Sequence, residues 1–307
     1  MILEKEEIYP LLISTTLYDD KYGNKNRFVE MNPSFYIDED GSYIILVRTV
    51  NYMKYPNNSF TVYGDTSRTQ YYILRGNIQG GRMKLDDCTA KPLNVIYDIP
   101  TFPSYWYGVE DLRCIDKNTW MACIPECNNG TPCIFTGKLE DQTFTKFQRC
   151  NPHGTEKNWM PFFWEKYKVV YSVSPFIIKD IYEDTRTTIP MDEPLLHGWH
   201  GSSNGIPFQD GILFLIHKNE EKVYSRWLYY LPNKNKIQIS EKFTFFRDSY
   251  IEFTCSLAKY KEMYYVSLGV NDNKAFLVKL HQKNIEACFT ERVDNGAYIE
   301  SALSSTE

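Results

Sequence analysis

The sequence has no apolar run long enough to cross a bilayer as a helix. Its longest runs, such as ILFLI at 212–216, are the length of one strand. The opening residues MILEKEEIYPLL contain no basic region followed by an apolar core, so no signal peptide is expected and a cytoplasmic setting is. An excess of positive charge is also missing. Lys and Arg number 34 against 39 Asp and Glu, a formal net charge of −5, which disfavours a nucleic-acid partner. There is no GxGxxG and no Walker A loop. Histidine is scarce, at five residues, and none stands beside Cys123, Cys127 and Cys133 to complete a tetrahedral zinc set. The eight cysteines read as free thiols of a reducing compartment. No metal site and no cofactor are expected.

Sustained 3.6-residue periodicity is rare as well, and what fills the chain instead is short strands. ILVRTV, YYILRG, TWMACIP, CIFTGKL, KVVYSV, ILFLIH, SRWLYYL, EMYYVSLG and AFLVKL are rich in β-branched and aromatic residues. Turn sequences such as DEDG, NNGT, PNKNK and VNDNK separate them. Five segments share one outline, a polar knot followed by a strand, a turn and a second strand. They begin at Asn32, Tyr107, Glu156, Gly201 and Ser249. The last four starts lie about 45–50 residues apart, the period of a propeller blade. The first gap is longer and implies an elaborated first blade or an insertion around 59–87. The expected fold is therefore all-β: a five-bladed β-propeller over 1–283, followed by a tail at 284–307 that forms a short helix or stays disordered. In such a ring the first strand of each blade lines the axis, so the five knots converge on one axial pocket.

Several knots resemble those of a known family. GVEDLR at 108–113 is similar to the Gly-x-Glu-Asp-Pro-Arg motif of the inverting β-mannosidases and mannoside phosphorylases and their related β-1,2-mannosyltransferases. EKNWMPF at 156–162 resembles that family's Lys-Asn motif. GSSNGIPFQDGILFLIHK from Gly201 resembles its Gly-rich turn and His-ending strand, and VSLGVNDNKAFLVKL from Val266 its closing strand. Two departures matter. Leu112 stands where the family has Pro, and no arginine precedes Pro175, where the phosphorylases use one for phosphate. The second departure argues against phosphorolysis. The chain also resembles a divergent subgroup found beside glycosyltransferase domains, which shifts the expectation from cleavage to synthesis.

The resemblance implies a carbohydrate-active enzyme, first an inverting glycosyltransferase, then a mannoside-type phosphorylase or hydrolase. A glycan-binding propeller without catalysis is the remaining alternative. The DxD metal signature of many nucleotide-sugar transferases is missing, since DED at 38–40 is a turn before Gly41, and a metal-independent reaction follows. Its partners would be a sugar donor and a glycan acceptor. An exposed tail and the resemblance also allow a homodimer.

Glycosyl transfer needs a carboxyl group at the reacting oxygen and stabilisation of the leaving group. Asp111 is the expected acid or base. Strand alternation would turn its neighbour Glu110 to the opposite face and put Arg113 on the same face, as a salt-bridge partner. Glu252, a strand acid between Ile251 and Phe253, and Asp272, in a turn sequence, are candidates for a second carboxylate. Arg48, Arg113, Lys157, His200 and His217 would bind donor phosphate or sugar. Asn158, Ser202 and Ser203 would touch hydroxyls, and Trp159 could stack on a sugar ring, although a core tryptophan is the commoner outcome.

Overall fold

The computed structural model describes residues 1–13, 17–19, 25–55, 57, 59–151, 154–163, 167–190, 196–289 and 293–294. Within them the chain forms a five-bladed β-propeller. The first blade runs outward from Val29–Ile37 through Ser42–Val50 and Ser67–Gln79 to Lys91–Pro92. The second comprises Glu110–Asp116, Thr119–Cys123, Ile134–Glu140 and Thr143–Arg149, with Asn94–Val95 added in parallel at its edge. Met160–Pro161, Lys168–Ser172, Ile177–Asp180 and Arg186–Thr188 make the third. In the fourth, His200–Gly201 and Ile206–Phe208 share the inner edge of Gly211–Asn219, which continues to Val223–Leu231 and Lys236–Ile239. In the fifth, Glu252–Phe253 and Leu257–Tyr260 line Met263–Val270, and Lys274–His281 follows.

The ring is closed by its start. Glu7–Pro10 pairs antiparallel with Lys274–His281 and becomes the outer strand of the fifth blade. This covers the outer edge of Lys274–His281 and leaves only a four-residue strand as the edge of the blade. Lys279 reinforces the seam with an ion pair to Glu7 at 3.1 Å.

Five apolar clusters occupy the five blade interfaces. Tyr71, Trp120 and Phe144 fill the first–second interface, Met121, Trp159 and Val169 the second–third. Phe162, Phe176 and Phe214 fill the third–fourth, Trp227, Phe243 and Leu268 the fourth–fifth, and Phe35, Tyr43 and Leu277 the fifth–first. Each fully buried side chain of this size contributes about 1.5–3 kcal/mol. Because every blade is covered on both faces, strands such as 212–216 read as unbroken apolar runs and not as alternating patterns.

The long first gap is explained by a hairpin, Tyr52–Lys54 with Phe60–Val62, and by the 13 residues of Ser67–Gln79. The expected boundary at 283/284 falls inside a helix, Gln282–Glu286, whose Ile285 joins the fourth–fifth core. Val293–Asp294 then adds a strand to Lys236–Ile239 of the fourth blade. Residues 290–292 and 295–307, the rest of the expected tail, lie outside the described residues.

Candidate active site

The innermost strands are interrupted at one level. Register slips by one residue between Met31 and Ser34 in the first blade and between Glu110 and Arg113 in the second. At the centre of these bulges Asn32 and Asp111 adopt left-handed backbone, with φ of +37° and +48°. Asn158, at the start of the third blade, does the same at +63°. Asn and Asp tolerate this region better than other residues with a Cβ, and bulges re-aim side chains next to active sites.

The bulge overturns strand alternation at Glu110 and Asp111. A regular strand would send the two carboxylates to opposite faces, as the sequence suggests. Instead both reach one guanidinium. Arg48 donates from Nη1 to Asp111 Oδ1 at 2.7 Å and from Nη2 to Glu110 Oε1 at 2.7 Å. Thr69 Oγ1 accepts from Arg48 Nε and Nη2, and Asn32 Nδ2 donates to Asp111 Oδ1 at 3.1 Å. Arg113 is displaced from its expected salt bridge for the same reason. Its Nη1 donates to the backbone carbonyl of Asp111 at 3.1 Å, and its Nε to the carbonyl of Ser202 across the axis.

The arginine side chain of Arg48 is 4% exposed, while those of Asp111 and Glu110 are 20% and 25% exposed. Arg48 is thus a buried strut already neutralised by two carboxylates, and not a free cation for a donor phosphate. The two carboxyl groups diverge in acidity. Burial raises that of Asp111, but Arg48, Arg113 and the Asn32 amide outweigh it and hold the group below the usual aspartate range. Burial raises Glu110, Arg48 opposes it, and the charge of Asp111 adds to the rise, leaving it above the usual glutamate range. Asp272 is also raised by burial, against the pull of Lys54 at 4.0 Å and of Arg48.

The network continues to the fourth blade. Arg113 Nη2 donates to Asn158 Oδ1 at 3.4 Å, and its guanidinium lies 5.8 Å from the Phe253 ring centre. Ser202 Oγ and His217 Nδ1 are 2.7 Å apart. The His217 ring meets Phe253 edge to face at 5.0 Å and lies 5.8 Å from that of His200. Burial, then His200 and Arg113, push His217 down to about 3, so its imidazole is neutral. His200 is lowered by burial and by Lys157. Lys157, Asn158, His197 and His200 line a cleft of about 320 Å³ between the third and fourth blades.

The five blades therefore all contribute to one axial constellation: Asn32 and Arg48, then Glu110, Asp111 and Arg113, then Lys157 and Asn158, then His200, Ser202 and His217, then Phe253 and Asp272. Three sequence candidates belong elsewhere. Glu252 is 1% exposed and accepts from the Phe245 and Phe246 amides, at 2.6 and 2.7 Å, and from the Ser249 hydroxyl. It holds a loop of the fourth–fifth seam and is not the second carboxylate. Trp159 is fully buried, with its indole donating to Glu156 Oε2 and the Lys179 ammonium 5.0 Å from its ring, so no sugar reaches it. Ser203 is fully buried and accepts from the Leu215 amide.

Thr69, Tyr71 and Phe253 escaped the sequence reading. Tyr71 accepts the Leu112 amide at 3.2 Å and so supports the bulge. Only the paired outlines MNPS at 31–34 and EDLR at 110–113 could have signalled that Asn32 and Asp111 are equivalent.

No family model matches the chain, and no curated protein matches it. Its fold is similar to that of β-1,2-mannobiose phosphorylase from Listeria innocua, at 13% identity and a TM-score of 0.57 over 91% of this chain and 98% of that one. A GDP-Man-dependent mannosyltransferase from Leishmania mexicana aligns at 12% identity and a TM-score of 0.52, over 87% and 90%. A putative glycosidase from Bacteroides thetaiotaomicron aligns at 12% identity and 0.57, over 89% and 93%. At such identities the likeness establishes the five-bladed fold.

Proposed function

We propose that this protein is a carbohydrate-active enzyme of the mannoside-processing kind, and specifically an inverting glycosyltransferase. One observation carries the reading: two carboxyl groups of divergent acidity share a single buried arginine at the axis. Divergent neighbours of this sort separate acid and base roles. Asp111, held ionised, suits a general base. It takes the proton of the acceptor hydroxyl as that oxygen attacks the anomeric carbon, and the bond from that carbon to the leaving phosphate breaks on the opposite face. The Lys157 ammonium, in the cleft across the axis, receives the leaving group's charge, and neutral His200 beside it donates a hydrogen bond. Neutral His217 and Asn158 orient sugar hydroxyls. Arg48 and Asn32 fix the base. The unpaired cysteines suit a cytoplasmic enzyme supplied with nucleotide sugars.

The test is a donor panel including GDP-mannose, with mono- and oligosaccharide acceptors. Nucleoside diphosphate release with an inverted product anomer is expected, falling about 10²–10⁴-fold in Asp111→Asn. Phosphate-dependent cleavage of a mannoside with no transfer from any donor would replace transfer by phosphorolysis. Sugar binding without turnover would leave only recognition.

A further inference from the structure

A second cleft opens on the same face, on the other side of the carboxylate pair. It lies between the first and second blades and has a volume of about 550 Å³. That falls within the roughly 300–1,000 Å³ of small-molecule sites. Its inner wall is Thr69, which holds Arg48, and Gly108 and Val109, which lead directly into Glu110. Its outer part carries Tyr97, Tyr107, Glu126 and the exposed Arg68 and Gln70. The wall is firmly built. Glu126 is 5% exposed and accepts the Gly108 amide at 3.0 Å. Trp106–Tyr107 pairs in parallel with Ser67–Arg68, tying the two blades together at the rim.

We infer that this cleft is an acceptor subsite that holds a neutral glycan chain extending from the reacting hydroxyl; the inference rests on the proposed glycan-transferring function of the axial site. Position comes first: a chain whose end reaches Asp111 has this cleft beside it, starting at Thr69. Chemistry comes second. Tyr107 presents an apolar face and a polar tip, which matches the C–H face and hydroxyl rim of a sugar ring. Tyr97, stacked on Phe147 at 5.5 Å and hydrogen-bonded to Glu126, gives the cleft a fixed wall. Charge is the third ground. One arginine and one buried glutamate roughly balance here, whereas the opposite cleft carries the Lys157 ammonium, with the ring N–H groups of His197 and His200 beside it, and suits an anion. The two clefts thus divide the work, a charged donor on one side of the axis and an uncharged acceptor on the other. Two further exposed rings, Tyr105 and Trp106, stand next to Tyr107 in the chain and meet edge to face at 5.2 Å.

Calorimetric titration of the full chain with manno-, gluco-, galacto- and xylo-oligosaccharides of two to five units tests this. One series is expected to bind more tightly as its length grows. An Arg68→Ala, Gln70→Ala double variant, changed at two exposed positions, should lose about five- to tenfold for the longest member and nothing for the disaccharide. Lys157→Ala should keep the length dependence. Disaccharide binding with no gain on lengthening, or a gain that survives the double variant, overturns the subsite and leaves the proposed function standing. Failure of every sugar to bind the folded wild type overturns the subsite, and overturns the proposed function too only where the donor panel also shows no turnover.

Discussion

Asn32 and Asp111 sit at equivalent bulges of adjacent blades, 79 residues apart, and the amide of the first donates to the carboxylate of the second at 3.1 Å. The neighbouring inner strands therefore share one device, and each bulge supports the other. Asn32 depends in turn on Gly269, where an added Cβ would stand 2.1 Å from Asn32 Oδ1 and 2.7 Å from its backbone nitrogen. Gly269→Ala should push Asn32 off Asp111, costing about 1–3 kcal/mol of stability through overpacking and lowering turnover as well. Urea unfolding and initial rates together check this. An unchanged midpoint with full activity would show that the contact is dispensable.

Removing Arg48 should be worse than removing either carboxylate. Arg48→Met leaves Glu110 and Asp111 facing each other without their shared ion-pair partner, with only the more distant Arg113 and Lys157 to offset their charge. Breaking a fully buried pair costs about 3–5 kcal/mol, and the partial exposure of both acids brings the expected loss to roughly 2–3 kcal/mol. The further change Glu110→Gln should recover part of it, which a double-mutant cycle measures.

Adjacent residues 110 and 111 should drive the pH dependence of stability in opposite directions. Asp111 is depressed in the fold, so its contribution is present above its unfolded value of about 3.9 and is lost as pH falls through the folded one. Glu110 is raised, so it favours the fold below about 4.3 and that support disappears as pH climbs through its folded value. Asp111→Asn should flatten the acid limb, and Glu110→Gln should raise stability near neutrality. Unfolding free energies from pH 3 to 8 decide both signs, and parallel shifts in the two variants would contradict them.

His217 should stay neutral across the physiological range, since its folded value is about 3. Its ring proton shifts in NMR should not move between pH 5 and 8, unlike those of an exposed histidine. The unfolded chain binds a proton below about 6.5 and the folded chain does not, so His217 penalises the fold as pH drops. His217→Gln should reduce that penalty.

Glu252 should behave as a structural residue. Glu252→Gln replaces one oxygen that accepts from the loop's amides with an NH₂ group, an expected cost of about 1–3 kcal/mol. Sugar affinity should be unchanged when measured well below the melting temperature. A selective fall in turnover with stability intact would restore it to the reaction.

The blade period and the unbroken apolar strands were legible because they are local signals. Each strand is coded by a handful of consecutive residues, and five repeats of one outline imply a ring. The convergence of Asp111, Lys157 and His217 followed from that ring alone. The role of Glu252 was not legible, because a strand acid looks the same whether it faces a ligand or three hydrogen-bond donors of its own chain. Trp159 failed for a similar reason: its neighbours Lys157 and Asn158 reach the axis, yet its own ring turns into the second–third core.

The sequence by itself determined the all-β character, the blade count and the set of polar residues available at the axis, since these depend on composition and spacing along the chain. Only the tertiary structure decided which of those residues face one another. One left-handed residue, Asp111, swings its side chain to the face of Glu110 and hands both to an arginine from another blade. That outcome is set by a backbone angle and a neighbour 62 or 63 residues away, which strand alternation cannot encode.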